Sequence, residues 1–360
     1  MFTGTPEADA LTAEALALGQ DLAVDDATLA QLFTTRGLRH IQAGRRPQAA
    51  AYSQAAARLA TQAGDTLSLG RALVNLADAI NATDPAAGAQ AARAAAAHLR
   101  RAGDRHFLAL AVANLAQALL MTGDWDTAEA ELAQALDGDG LADIEYIACY
   151  RAWVAALRGD TETAQTVLAG LGNLWATEDP QDQAIIANAE AFTAATRRMP
   201  AAALRSARAA LGHAGALGIS SEYLRWAWPM AARAAHDLAD TATTTELLAM
   251  LDGYQPGQLA PMLRAERDLV RARLTAANGA DLDTGAAFTA AITELRQHST
   301  PYHLAHGLLD HAEHLLRMGD AETAATAITE AVSIAGRLGC QPLLDRADTT
   351  QPATPRTTAS

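Results

Sequence analysis

His306, Asp310 and His314 stand four residues apart, which on a helix puts all three on one face. His303 and Glu313 fall on the same arc. Adjacent pairs at this spacing can share a divalent metal. An exposed helix face gives such ligands little outer support, and metal affinity depends on that support. The expectation is therefore a solvated polar face with no tight metal site. No other arrangement amounts to a chemical motif. Gly-x-Ser-x-Gly and His-Glu-x-x-His are absent, and Gly138-Asp139-Gly140 reads as a turn rather than a phosphate cradle. All 27 basic residues are arginine, as the coding bias of a GC-rich genome would produce. The lack of lysine removes the Walker A phosphate loop, protein kinase chemistry and Schiff-base catalysis. These observations predict a protein that is no enzyme and carries no cofactor.

Charge and cysteine usage narrow the partners. A net charge of −14 leaves no concentrated basic surface to displace counterions, so direct nucleic-acid binding is not expected. Cys149 and Cys340 lie far apart and outside any metal-ligand spacing, and they read as buried thiols in a reducing compartment. The longest apolar stretch, 107–121, is too short to span a bilayer and contains Asn114 and Gln117. The opening residues lack the basic region of a signal peptide. A cytoplasmic protein with no membrane partner is expected.

The elements that would position these residues repeat about every 40 positions. Small residues recur as Gly37, Ala49 and Ala56, as Ala116, Ala128 and Ala135, and as Ala312, Ala324 and Ala331, at offsets of +12 and +19 in each case. Extending the register gives anchors at Gly37, Ala77, Ala116, Ala152, Ala191, Ala232, Ala272 and Ala312. Apolar residues follow helical spacing, with no sustained alternation of period two. Gly64-Asp65, Gly103-Asp104, Gly123-Asp124 and Gly319-Asp320 end one helix and cap the next. Hydrophobic residues make up 50% of the chain but aromatics only 4%, and the excess alanine suits close helix crossings. The fold class predicted is all-α: an α-α superhelix of about eight helical hairpins, because units of this period bury their apolar faces only by stacking. Residues 1–345 form the repeat domain, and the Thr/Pro/Ala-rich 346–360 reads as a disordered tail.

Residues 6–22 match second-helix positions, through Ala8, Thr12, Ala15 and Leu16. The chain is thus expected to open on an N-terminal half-unit, as part of something longer, or on a lone capping helix. An unpartnered half-unit would expose an apolar side and favour self-association.

Small and large residues at these offsets resemble the tetratricopeptide (TPR) repeat, stretched from its usual length. The stretches 302–313 and 338–347 look like the closing unit of TPR arrays in actinobacterial multidomain regulators of the ATPase/cyclase or LuxR type. No ATPase, cyclase or helix-turn-helix segment is present, so the resemblance implies only the sensor or scaffold part of such a transcriptional or signalling regulator. In TPR arrays the first helices line a concave groove. Mapped by register, the groove positions here are Arg71, Asn75, Asp78, Asn114, Gln117, Tyr146, Tyr150, Trp153, Phe192 and Trp226, with His306 and Asp310 at its end. The amides could bond an extended peptide backbone, and the aromatics could be hot spots for a protein or peptide partner. Alternatively the amides serve neighbouring backbone and the aromatics fill gaps between units. A second functional reading is a small-ligand-binding regulatory domain, with the ligand near Trp226-Ala227-Trp228, controlling an effector encoded upstream or on another chain.

Overall fold

A computed structural model describes residues 6–279 and 284–350, and every regular element in them is helical. Helix α1 (Pro6–Asp21) precedes α2 (Asp26–Gln42), which pairs with α3 (Arg46–Gln62). The following pairs are α4 (Thr66–Ile80) with α5 (Pro85–Ala102), and α6 (Arg105–Thr122) with α7 (Trp125–Ala133). Next come α8 (Glu145–Arg158) with α9 (Thr161–Gly170), and α10 (Pro180–Thr196) with α11 (Pro200–Leu211). After the single turn α12 (Ala214–Leu217) stand α13 (Glu222–Asp237) with α14 (Thr241–Asp252), and α15 (Pro261–Ala277) with α16 (Thr284–His298). The last pair is α17 (Pro301–Met318) with α18 (Ala321–Leu338), followed by α19 (Gln341–Thr350). Eight hairpins thus stack in sequence among the described residues, as an α-α superhelix.

The small-residue register has the expected steric cause. Ala49, Ala56, Ala77, Ala116, Ala128, Ala135, Ala312 and Ala324 are all 0% exposed. A Cβ on Gly37 would come within 2.9 Å of the Ser53 hydroxyl on the paired helix. The turns are also as read. Gly64, Gly103, Gly123 and Gly319 have φ between 68° and 84°, and the aspartate after each caps the next helix by accepting a backbone N–H. Ala239 takes the same left-handed conformation, φ 54°, before the capping Asp240, so one turn of this kind carries no glycine.

Helix α1 packs on α2 through Leu16 and Gly19, where an added Cβ would come within 2.6 Å of Leu32 Cδ1. Asp9 takes Arg36 of α2 at 2.5 Å. At the other end the helical structure runs to Thr350, so 346–350 belong to the repeat domain and not to a tail. Residues 351–360 lie outside the described residues. Among the described residues no helix is long and apolar enough to cross a membrane.

The superhelix is wound tightly enough for its inner faces to meet. Trp125 of α7 contacts Tyr302 of α17, and Gly123 abuts Pro301 and Leu338. Gly159 abuts Pro342. The C-terminal helices α17 and α19 therefore sit against the middle of the array, on α8, α10 and α13.

Candidate functional site

The concave face is largely filled by the protein itself. Trp153 of α8 lies 5.5 Å from Phe192 of α10 and 5.2 Å from Trp226 of α13, centroid to centroid. Tyr150 stacks on Trp153 at 6.0 Å. From the opposite side α17 lays Tyr302 and His303 on Trp226, at 6.1 and 4.7 Å. Tyr150, Trp153, Phe192 and Trp226 are at most 2% exposed. The expectation that these four aromatics line an open peptide groove is corrected: all four are buried, and α17 lies over Phe192 and Trp226. Trp226 and Trp228 leave no ligand space between them either, since both are buried and the Trp228 indole donates to the Leu247 carbonyl at 3.0 Å. Tyr146 is half-buried at the edge of this cluster.

The amides are engaged as well. Asn75 donates to the Thr34 carbonyl at 3.2 Å, and Asn114 to the Val74 carbonyl at 3.1 Å. Each ties its helix to the first helix of the preceding unit, so backbone of this chain takes the bond that a peptide was expected to take. Asn188 repeats the device, donating to Tyr223 of the following unit at 2.7 Å. Gln117 donates to the Tyr150 hydroxyl, which in turn donates to the Tyr223 hydroxyl at 3.3 Å. Asp78 is paired with Arg46 at 2.5 Å, with the Glu222 carboxyl nearby. Arg71 bonds Asp104 at 2.8 Å and lies over the Phe107 ring.

The histidine face of α17 is buried, not solvated. His303, His306, Asp310 and His314 are between 4% and 9% exposed. The cause is the docking of α17 against α13, α15 and α19. Asp310 accepts two bonds of 3.2 Å from Arg233 on α13. It also meets Arg346 of α19 at 2.5 Å and Arg273 of α15 at 3.6 Å. Burial alone would raise the Asp310 pKa, but these three guanidiniums outweigh it and hold the carboxyl well below its ordinary range. His306 receives Arg346 at Nδ1, 2.9 Å away, and burial with the nearby guanidiniums keeps the ring neutral. Burial pushes His303 down to about 3. His314 stacks on Phe288 at 5.1 Å. Among the described residues no group of three or more His, Cys, Asp or Glu is placed to hold a metal ion. Glu266 stands beside this network with one carboxyl oxygen unpartnered, and burial raises its pKa to about 8. The two thiols are free and buried, and burial pushes each up to about 12.

Space for a ligand remains in a cleft of about 690 Å³ between the middle units and the C-terminal helices. Its floor is apolar, from Leu157, Phe192, Met230 and Tyr302. Its walls carry Arg198, Arg233 and Arg346 together with Asp237, Glu313 and Asp345. Only Phe192 and His306 of the groove residues read from the sequence reach it. Sequence reasoning missed the rest because they come from units far apart in the chain. The available signal was Arg346 itself, a charged residue in what read as a tail.

No protein-family model matches the chain, and no curated protein sequence matches it. Among solved structures, a circular tandem repeat protein with a novel repeat topology and enhanced subunit contact surfaces is similar at 16% identity. The match covers 95% of this chain and 72% of that one, with a TM-score of 0.16.

Proposed function

We propose that this protein is a non-catalytic recognition scaffold, and that the cleft between the middle repeats and the C-terminal helices is where it binds. The cleft itself carries the reading. Its volume lies within the range that ligand sites occupy, roughly 300–1,000 Å³, and it combines an apolar floor with charged walls of both signs. Such a lining suits a short peptide segment of a partner protein, which offers charged ends or side chains and an apolar body. The groups that could act chemically are held: the thiols are buried and protonated, His303 is neutral in a packed position, and His306, at the cleft, is held neutral by burial and the neighbouring guanidiniums. No ATP turnover is expected. The resemblance of the C-terminal unit to those of multidomain regulators supports a sensor or scaffold role within signalling.

One observation also favours a small regulatory ligand of the same mixed polarity. The cleft is walled by units distant in sequence, so anything bound there would tie α19 to α11 and α13. Thermal-shift screening of the full chain against a short-peptide and metabolite library tests both forms. Hits should stabilise the wild type and lose their effect in Asp237→Trp, which fills the cleft from an exposed position. Hits that stabilise both proteins equally would place recognition elsewhere.

A further inference from the structure

The outer face of α1 has a composition that solvent does not explain. Leu11, Leu18 and Leu22 are 64%, 55% and 67% exposed. Ala15 is exposed beside them. The buried side of the helix is separate, with Leu16 and Gly19 against α2.

Two features define what would cover it. Leu11, Ala15, Leu18 and Leu22 follow the alternating four-three spacing of a coiled-coil seam. Glu7, Glu14 and Asp21 recur every seven residues along one border of that seam. On an ideal helix the three leucines span roughly 40° and the three acids the adjacent 40°. All three acids are exposed, and none takes part in an ion pair among the described residues. The other border, Thr12 and Gly19, faces α2. A helix laid in the seam would therefore have an acidic row on its open side. Ala15 in the seam allows a partner backbone to approach closely there.

We infer that the α1 face is a docking surface for a basic amphipathic helix of a partner protein, seated on Leu11, Leu18 and Leu22 with Arg or Lys against Glu7, Glu14 and Asp21. Charge selects this occupant. A second copy pairing antiparallel would set the two acidic rows opposite each other, and like charges across a seam disfavour pairing. An anionic membrane is disfavoured by the same row. No residue of α1 lines the cleft, so this inference stands or falls independently of the proposed ligand site.

The test uses the full chain and two defined probes. One is a 21-residue fluorescent peptide with Leu at a and d positions and Arg at e and g; the other is its twin with Glu replacing Arg. The basic peptide should bind at least tenfold more tightly by anisotropy. Leu18→Asp should abolish that binding while circular dichroism stays unchanged, as befits an exposed position. The triple variant Glu7→Arg, Glu14→Arg, Asp21→Arg should switch preference to the acidic peptide, although the chain remains net acidic. Equal binding of the two peptides, or basic-peptide binding that survives in Leu18→Asp, would overturn the inference. So would a dimer, or adsorption to phosphatidylcholine vesicles, that disappears in Leu18→Asp.

Discussion

Asp310 and Arg233 meet through two parallel bonds of 3.2 Å, joining α17 to a helix 77 residues earlier. The carboxylate is buried and also holds Arg346 and Arg273. Removing one partner of a buried pair strands the other charges, at a cost of about 3–5 kcal/mol. Asp310→Asn should lower stability by that order in urea unfolding. Hydrogen exchange should quicken in α17 and α19 before it does in α2 to α5. Unchanged exchange at α19 would show that the bond is not what docks it.

Glu266 gives a pH dependence of opposite sign to the usual carboxylate. Burial raises its pKa from 4.5 to about 8 in the folded protein. Between those values the folded state binds more protons than the unfolded one, so this group's contribution falls as pH rises from about 4.5 to 8 and is flat above. Glu266→Gln should remove that decline and leave the variant relatively more stable at pH 8 than at pH 5. Parallel profiles for the two proteins would contradict the assignment.

The buried aromatics should act on the fold. Trp226→Ala removes a large side chain from beneath α17 and Trp153→Ala one from the buried cluster beside it, and such truncations cost about 3–5 kcal/mol. Urea denaturation reads the loss directly. A tryptophan variant with wild-type stability would mean that α17 leaves this face open in solution.

Asn114→Ala deletes the extra bond to the Val74 carbonyl, and losing an intramolecular hydrogen bond of this kind costs about 0.5–1.5 kcal/mol. The loss should appear in the unliganded protein. Stability equal to wild type would return Asn114 to the role of a peptide ligand.

Ala128 lies at a close helix crossing and is 0% exposed. Ala128→Leu should overpack it and cost about 1–3 kcal/mol, measured as a lowered thermal midpoint.

The hairpins were readable because their causes are local. A close crossing demands Gly or Ala, as at Gly37 against Ser53, and a tight turn demands a left-handed residue and a capping acid, as at Gly123-Asp124. The fate of the concave face was not local. Trp226 on an inner helix face has the same neighbours in sequence whether water or Tyr302 covers it. One cue did exist in α6, which is buried on nearly every side from Leu108 to Met121. A helix apolar all round belongs to an interior, and that pattern in the middle of an array implies a second layer over its groove. The polar side of α17 misled for the mirror reason. His306 and Asp310 look solvated until Arg233, Arg273 and Arg346 are seen to converge on them.

An open repeat array is a one-dimensional system in which each unit answers only to its neighbours. The contacts of Gly123 with Pro301 and of Gly159 with Pro342 break that rule, because they join middle units directly to late ones. Fraying from the C-terminal end would uncover the Trp153–Trp226 layer, so the last hairpin and the middle ones lose their burial together. Unfolding should then be a single cooperative event across most of the chain. Shortening the array by one unit at a time should remove stability in one abrupt step rather than in even increments.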